Sequence, residues 1–316
     1  MNRNPRRIKL GYLLPTRENV MRGDHSAASL LEAARMARDC GFDSVWAGDS
    51  LFSRARHDPI TLLAAVAAAT PEVYLGTAVL LPALRNPVVL AQQLATLDQI
   101  CDGRLIVGIG QAADTPPVRA EFAAAGVPFE KRIGRMLEGL NLCRALWSGE
   151  PVTWQGRWTL DQVTLGPQPF RRGGPPLWLA SNVAAGVQRA GRRFDGWFPI
   201  GPTAAAVAAN HRLLTTAAAD AGRGVPTTAA YLTICIDDDA AAAEARIDEY
   251  LNGYYGLPAK VLRGVQACRG GSVEQVLGFL QEFVTAGADH LVLRVVGDHR
   301  HALNRLAARR AALESP

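Results

Sequence analysis

The stretch from Val73 to Gly110, VYLGTAVLLPALRNPVVLAQQLATLDQICDGRLIVGIG, decides the fold. It opens on a short apolar run, Val73 to Leu80, that ends before a helix could complete its turns and reads as a buried strand. A helix follows from Pro87 to Ile100, with proline at its first position, where the missing amide has no helical partner to lose. A second apolar run, Arg104 to Gly110 (RLIVGIG), completes the unit. Strand, helix and strand in this order form a parallel crossover.

The same alternation extends in both directions. Upstream, Ile8 to Leu14 (IKLGYLL) is a strand bounded by Pro15, and Ser26 to Cys40 sets Leu30, Leu31, Ala34, Met36 and Ala37 on one helical face, with Gly41 as the stop. Ser44 to Gly48 (SVWAG) is the next strand and Pro59 to Ala69 the next helix. Downstream come a helix from Lys131 to Trp147, a strand at Leu177 to Ala180 (LWLA), a short helix at Gly186 to Arg192, and a strand at Gly196 to Ile200 (GWFPI). The Ala-rich helix Thr203 to Ala221, the strand Ala229 to Ile236, the helix Val273 to Ala286, the strand His290 to Val296 and a helix from His301 to Leu313 finish the chain. Eight strands in alternation with helices predict a closed TIM-type (β/α)₈ barrel, residues 1–316 as one domain, rather than an open doubly wound sheet. Two stretches interrupt the pattern, 149–176 and 249–271, and both are expected over the C-terminal mouth, where barrel enzymes keep their chemistry.

Composition excludes several classes. The chain has 316 residues, 48% hydrophobic and 20% charged, as ordinary globular proteins do. A net charge of +5 suits a polyanionic ligand. The excess is arginine scattered over helix faces, with local clusters such as Arg3/Arg6/Arg7 and Arg309/Arg310, and it forms no continuous basic stripe; this argues against nucleic acid. Five separated cysteines, odd in number and without a CxxC pair, suggest neither a disulfide framework nor a zinc site, so no metal is expected. With no signal-type apolar core and no membrane-length apolar run, a cytoplasmic protein is expected.

The chemistry is expected at strand ends. Gly108-Ile109-Gly110-Gln111-Ala112-Ala113-Asp114 ends the fourth strand, and its glycines either admit a flat ring or phosphate or ease strand packing. Asp49 follows the second strand, as a ligand-binding carboxylate or as a loop brace. His57 precedes a helix, at the site or on the surface. Arg294 in the last strand, with Tyr254 and Tyr255 in the late insertion, are candidates for a substrate wall. Ser181 and Asn182 stand before the helix containing Gly186, either as donors to a ligand or as an N-cap pair. Trp147, Trp154, Trp158 and Trp178 read as packing residues.

Taken together, Leu75-Gly76-Thr77-Ala78-Val79, Asn86 to Ala91, Leu97-Asp98, Gly103-Arg104-Leu105 and Gly108-Ile109-Gly110 resemble the luciferase-like monooxygenase family of FMN and deazaflavin (coenzyme F420) enzymes. Gly126 to Phe129 with Arg132 and Glu138, Pro175 to Trp178 and Asp195 to Trp197 extend the likeness from Ile8 to about Val296. The resemblance implies a cofactor ring against Thr77, Ala78 and Val79, propped by a β-bulge with a non-prolyl cis peptide at Ala78-Val79. Leu14, Ser50 and Gly110 to Ala112, including Gln111, would surround it, and Ser181 to Gly186 would lie near its phosphate. It further implies a homodimer through the helices after strands two and three. Two positions depart from the family. A His common after the strand-two acid is Ser50 here, and the Glu of the deazaflavin sugar-phosphate dehydrogenases is Ala113, so the acid-base arrangement differs, with Asp49 and Ser50 the candidates left in place.

Three functions follow from these residues. The first is hydride transfer between reduced F420 and a small organic substrate. The second is an FMN-dependent monooxygenase that receives reduced flavin from a separate reductase, and the third is a non-catalytic carrier that retains the barrel. Ser50 and the basic charge favour the first.

Overall fold

The computed structural model describes residues 7–313; Arg3 and Arg6 of the terminal basic cluster lie outside the described residues. Eight parallel strands form the barrel: β1 (Lys9–Leu13), β2 (Ser44–Ala47), β3 (Tyr74–Leu80), β4 (Leu105–Ile109), β5 (Leu177–Leu179), β6 (Gly196–Trp197), β7 (Thr227–Ile236) and β8 (His290–Val295). Each pairs with the next, and β8 pairs with β1 through Lys9↔His290 to Tyr12↔Leu293, so the sheet closes. The expected barrel is therefore the observed one.

Helices outside and side chains inside bury most positions of these strands. Trp46, Trp178, Phe198, Tyr231 and Ile106 fill the interior. Trp46 lies 5.5 Å from Trp178 and 5.3 Å from Phe198, centroid to centroid. His290 among them bonds to Ser44 at 2.7 Å, and burial, with the Lys9 charge second, pushes its pKa down to about 3. Burial thus favours the neutral form of this imidazole. Trp178 is a packing residue, as expected, and so is Trp147, whose indole donates to the Ala91 carbonyl at 3.0 Å.

The two interruptions have different fates. Residues 152–163 make an antiparallel hairpin, Val152–Gln155 with Thr159–Val163. This segment follows a helix and precedes β5, so it leaves from the end of the barrel opposite the mouth, and it runs along the outside. Arg157 pairs there with Glu138, Trp158 packs at Gly139, and the Arg171 backbone amide donates to the Asp98 carboxylate at 2.9 Å. The expectation that 149–176 covers the mouth is corrected: none of these residues lines the central cavity.

The late segment does reach the mouth. It is more regular than the sequence suggested, with a helix Ala240–Tyr255, a short helix Ala259–Arg263 and a strand Ala267–Gly271. β7 is ten residues long, and β6 pairs only with its start, Thr227 and Thr228. The strand Ala267–Gly271 takes over the same edge from Leu232 to Ile236. This strand therefore inserts into the upper wall and anchors the helix Ala240–Tyr255 beside the opening.

Candidate active site

A cavity of about 610 Å³ opens at the C-terminal ends of the strands. Its two sides are built differently.

On the side of β3, β4 and β5 the backbone shapes the wall. Thr77 faces Val107 and Leu80 faces Ile109, so β3 carries one extra residue there, and the Ala78-Val79 peptide within this bulge is cis, as the resemblance implied. Ala78 and Val79 line the cavity. Gly108 in β4 and Gly110 just after it accommodate this bulge. A Cβ on Gly108 would fall 2.1 Å from the Thr77 carbonyl oxygen, and one on Gly110 2.5 Å from Val79 Cγ2. Of the two readings of this pair, strand packing is therefore the one the coordinates favour. Gln111 donates to the Ala180 carbonyl at 3.1 Å, and Arg132 Nε donates to the Gln111 carbonyl at 3.0 Å. Asn182 is pinned to Ile200, donating at 3.1 Å and accepting at 3.3 Å. The helix Ala184–Arg193 begins at Val183 without a side-chain cap, so Ser181 and Asn182 are not its N-cap pair.

On the side of β8, β7 and β2 the wall is long side chains. Arg294 is 5% exposed, and its Nη1 donates to the Tyr255 hydroxyl at 2.7 Å. Its guanidinium also lies over the rings of Tyr254 at 4.5 Å and Tyr231 at 5.0 Å. Burial opposes the Arg294 charge, but the surrounding phenols favour it and the net shift is upward. Burial likewise raises the Tyr255 phenol, and the charge and hydrogen bond of Arg294, helped by Arg54, outweigh it and leave the pKa lowered. Arg56 Nη2 donates to the Tyr254 hydroxyl at 3.0 Å, and its Nη1 occupies the place a Cβ of Gly48 would need, 2.1 Å away.

Between the two sides lie Asp49 and Ser50. Asp49 accepts from the Leu81 amide at 2.9 Å and from both terminal nitrogens of Arg85, which makes it a loop brace. Ser50 donates to the buried Glu121 at 2.6 Å. The same Glu121 oxygen accepts from the amides of Phe52 at 2.6 Å and Ser53 at 2.8 Å. Burial raises the Glu121 carboxyl, but the bonds from Ser50, Phe52 and Ser53 outweigh it and hold it below its ordinary value.

Of the sequence candidates, Asp49, Ser50, Ala78, Val79, Gly110, Gln111, Ala112, Ser181, Asn182, Tyr254, Tyr255 and Arg294 share this cavity. Four do not line it. Leu14 is core at 1% exposure, and the Thr77 hydroxyl is spent on the Gly108 carbonyl at 2.8 Å. Gly186 is buried in the first turn of its helix, where a Cβ would meet Ser181 Oγ at 1.9 Å. His57 is half-buried: its Nε2 contacts the His25 carbonyl at 3.1 Å and its Nδ1 is buried without a partner, so it stands apart from the cavity without being a surface residue. Asp114 borders the cavity but is held by Arg119 at 2.6 Å.

Sequence reasoning missed Arg54, Arg56, Glu121 and Tyr231. Glu121 sits on the helix Pro116–Ala124, for which Pro116 and Pro117 are the start signal in the sequence. Arg54 and Arg56 were passed over in favour of their neighbour His57.

A fold of this kind with such a cavity has relatives. The chain belongs to the luciferase-like monooxygenase family, whose profile matches residues 8–313. It is 35% identical over 178 residues to the F420-dependent glucose-6-phosphate dehydrogenase of Nakamurella multipartita, covering 54% of this chain and 51% of the relative. It is 34% identical over 201 residues to the enzyme of the same name from Kineococcus radiotolerans, covering 60% and 56%. The chain thus spans little more than half the length of these curated relatives. Among solved structures it is similar to an F420-dependent secondary alcohol dehydrogenase in complex with an F420-acetone adduct, with a TM-score of 0.82, 21% identity and coverage of 97% of this chain and 99% of that one. It is also similar to the monooxygenase RslO1 of Streptomyces bottropensis, with a TM-score of 0.80, 24% identity and coverage of 95% and 98%. At these identities the structures speak to the fold alone.

Proposed function

We propose that this chain is an F420-dependent oxidoreductase that exchanges a hydride with a small organic substrate. The observation that carries the reading is the division of one cavity into a small-residue wall at β3 to β5 and an arginine- and tyrosine-lined wall at β8, β7 and β2, in a chain whose curated relatives are named F420-dependent. The small-residue wall suits the cofactor. Ala78 and Val79 present small apolar surface to a planar ring, Ser181 and Asn182 adjoin a helix start whose amides no side chain caps, and Arg132 adds a positive charge nearby. Uncapped amides at a helix start favour a phosphate group.

The deazaflavin, when bound, supplies or accepts the hydride. The chain's own residues position and shield. Arg85 fixes Asp49, and through it the Leu81 amide beside the bulge. Ser50, which donates to Glu121 and accepts from the Arg54 amide at 2.9 Å, holds the loop that carries Arg54 and Arg56 to the opening.

Titrating the purified protein with F420 and with FMN, each oxidised and reduced, tests the reading. F420 is expected to bind at least about tenfold tighter than FMN, a difference of roughly 1.4 kcal/mol. FMN binding as tightly as F420 would overturn it.

A further inference from the structure

We infer that the substrate carries an anionic group, seated on Arg294 and Arg56 with the hydroxyls of Tyr254 and Tyr255. The inference rests on the proposed function and names the substrate class of that same cavity. Its starting point is an imbalance of charge. Among the described residues no carboxylate lies within ion-pair distance of either guanidinium, and Arg294 Nε is buried without a partner. The neighbouring carboxylates are already engaged. Asp49 is held by Arg85, Glu18 accepts from the Tyr250 hydroxyl, and Glu121 is held by Ser50 and the loop amides through one oxygen, its other oxygen being buried without a partner and outside ion-pair distance of both arginines.

A buried cation without a counter-ion is costly, and phenol rings and hydroxyls compensate only part of that cost. Arg294 could be neutralised cheaply by a nearby acid, yet the chain surrounds it with four tyrosines. Tyrosine offers a hydroxyl that accepts from arginine and can donate onward to an incoming oxygen. Two guanidiniums and two such hydroxyls at one end of a cavity form a charge-assisted donor set for a carboxylate or a phosphate. The cofactor tail is not the intended guest, because in the barrel order β8 and β2 flank β1, whereas the uncapped helix start follows β5 across the opening.

Calorimetric titration of the full chain with inorganic phosphate and with succinate, with and without bound F420, tests this. Saturable binding of at least one anion is expected. Arg294→Gln should weaken it about thirtyfold, Arg56→Gln and Tyr254→Phe several-fold, and the exposed Arg192→Gln not at all. Tyr254→Phe keeps the ring in place and covers the case in which the arginine variants fail to fold. Preference for phosphate would point to a phosphate ester, and preference for succinate to a carboxylic acid. Absence of saturable binding of either anion, or an equal loss in Arg192→Gln, overturns the inference. So does a loss of F420 affinity in Arg294→Gln when a tail-less deazaflavin riboside still binds, since the arginine would then hold the cofactor. Failure of F420 to bind a protein that does bind anions would instead overturn the cofactor reading.

Discussion

The two walls of the cavity differ in how they are made, and that difference explains how visible each is in the sequence. The wall at β3 to β5 is built from backbone: a bulge at Ala78 and Val79, two glycines that clear space for it, and a helix start without a cap. Its residues lie within short continuous stretches. The opposite wall is built from side chains that arrive from four separate places, Arg54 and Arg56, Tyr231, Tyr250 to Tyr255, and Arg294. The first leaves open space beside small side chains, and the second carries charge.

The largest expected effect breaks the first wall alone. Ala78 is half-buried and faces the cavity, so Ala78→Phe should fill the space assigned to the ring. F420 affinity, read by fluorescence titration, is expected to fall by about a hundredfold or more, which is roughly 2.7 kcal/mol. Thermal stability should shift by no more than about 1 kcal/mol, since the new ring enters open space and not packed core. Anion binding at Arg294 should survive. Unchanged F420 affinity would remove the ring from β3, and with it the separation of the two walls.

This asymmetry accounts for what could be read beforehand. The eight strands were legible because strand and helix periods alternate with little interruption, and the bulge was legible because Gly76-Thr77-Ala78-Val79 sits in a composite motif. Arg294, Tyr254 and Tyr255 could be nominated as strand-end and insertion residues, but not their mutual contact, because nothing local in the sequence records that the helix Ala240–Tyr255 folds back onto β8. Glu121 was invisible for a related reason: its partners, Ser50, Phe52 and Ser53, lie some seventy residues earlier. The hairpin was misplaced because glycine, proline and tryptophan content marks irregularity but not the end of the barrel from which a loop departs.

A smaller effect probes the joint between the walls. Glu121 titrates below its ordinary value in the folded protein, so its contribution is fully present above the unfolded carboxyl pKa and is lost as pH falls through the lower folded value. Glu121→Gln keeps an acceptor for the two amides but loses the charge, and should cost about 1–2 kcal/mol in urea unfolding at pH 7. The difference from the parent should be constant above about pH 5 and shrink in acid. Anion affinity should also drop a few-fold, because the loop that Glu121 holds carries Arg54 and Arg56. A difference independent of pH would mean that Glu121 acts by packing alone and that the two walls are not joined through it.

The smallest effect is expected at the hairpin, and its smallness is the point. Arg157 donates to Glu138 from the hairpin tip, with the two side chains 38% and 20% exposed. An exposed pair of this sort contributes about 1 kcal/mol or less, because the Coulomb gain is screened by water and two long side chains lose their freedom. Arg157→Ala should therefore lower stability by no more than that. Neither F420 nor anion affinity should change, because residues 149–176 contribute nothing to the cavity lining. Had this segment lain over the opening, loosening its tip would alter access, and both dissociation rates would rise. Stopped-flow release of F420 from the variant and the parent separates these cases: equal rates place the hairpin outside the working end of the barrel, and faster release from the variant would show that the cavity has a third wall.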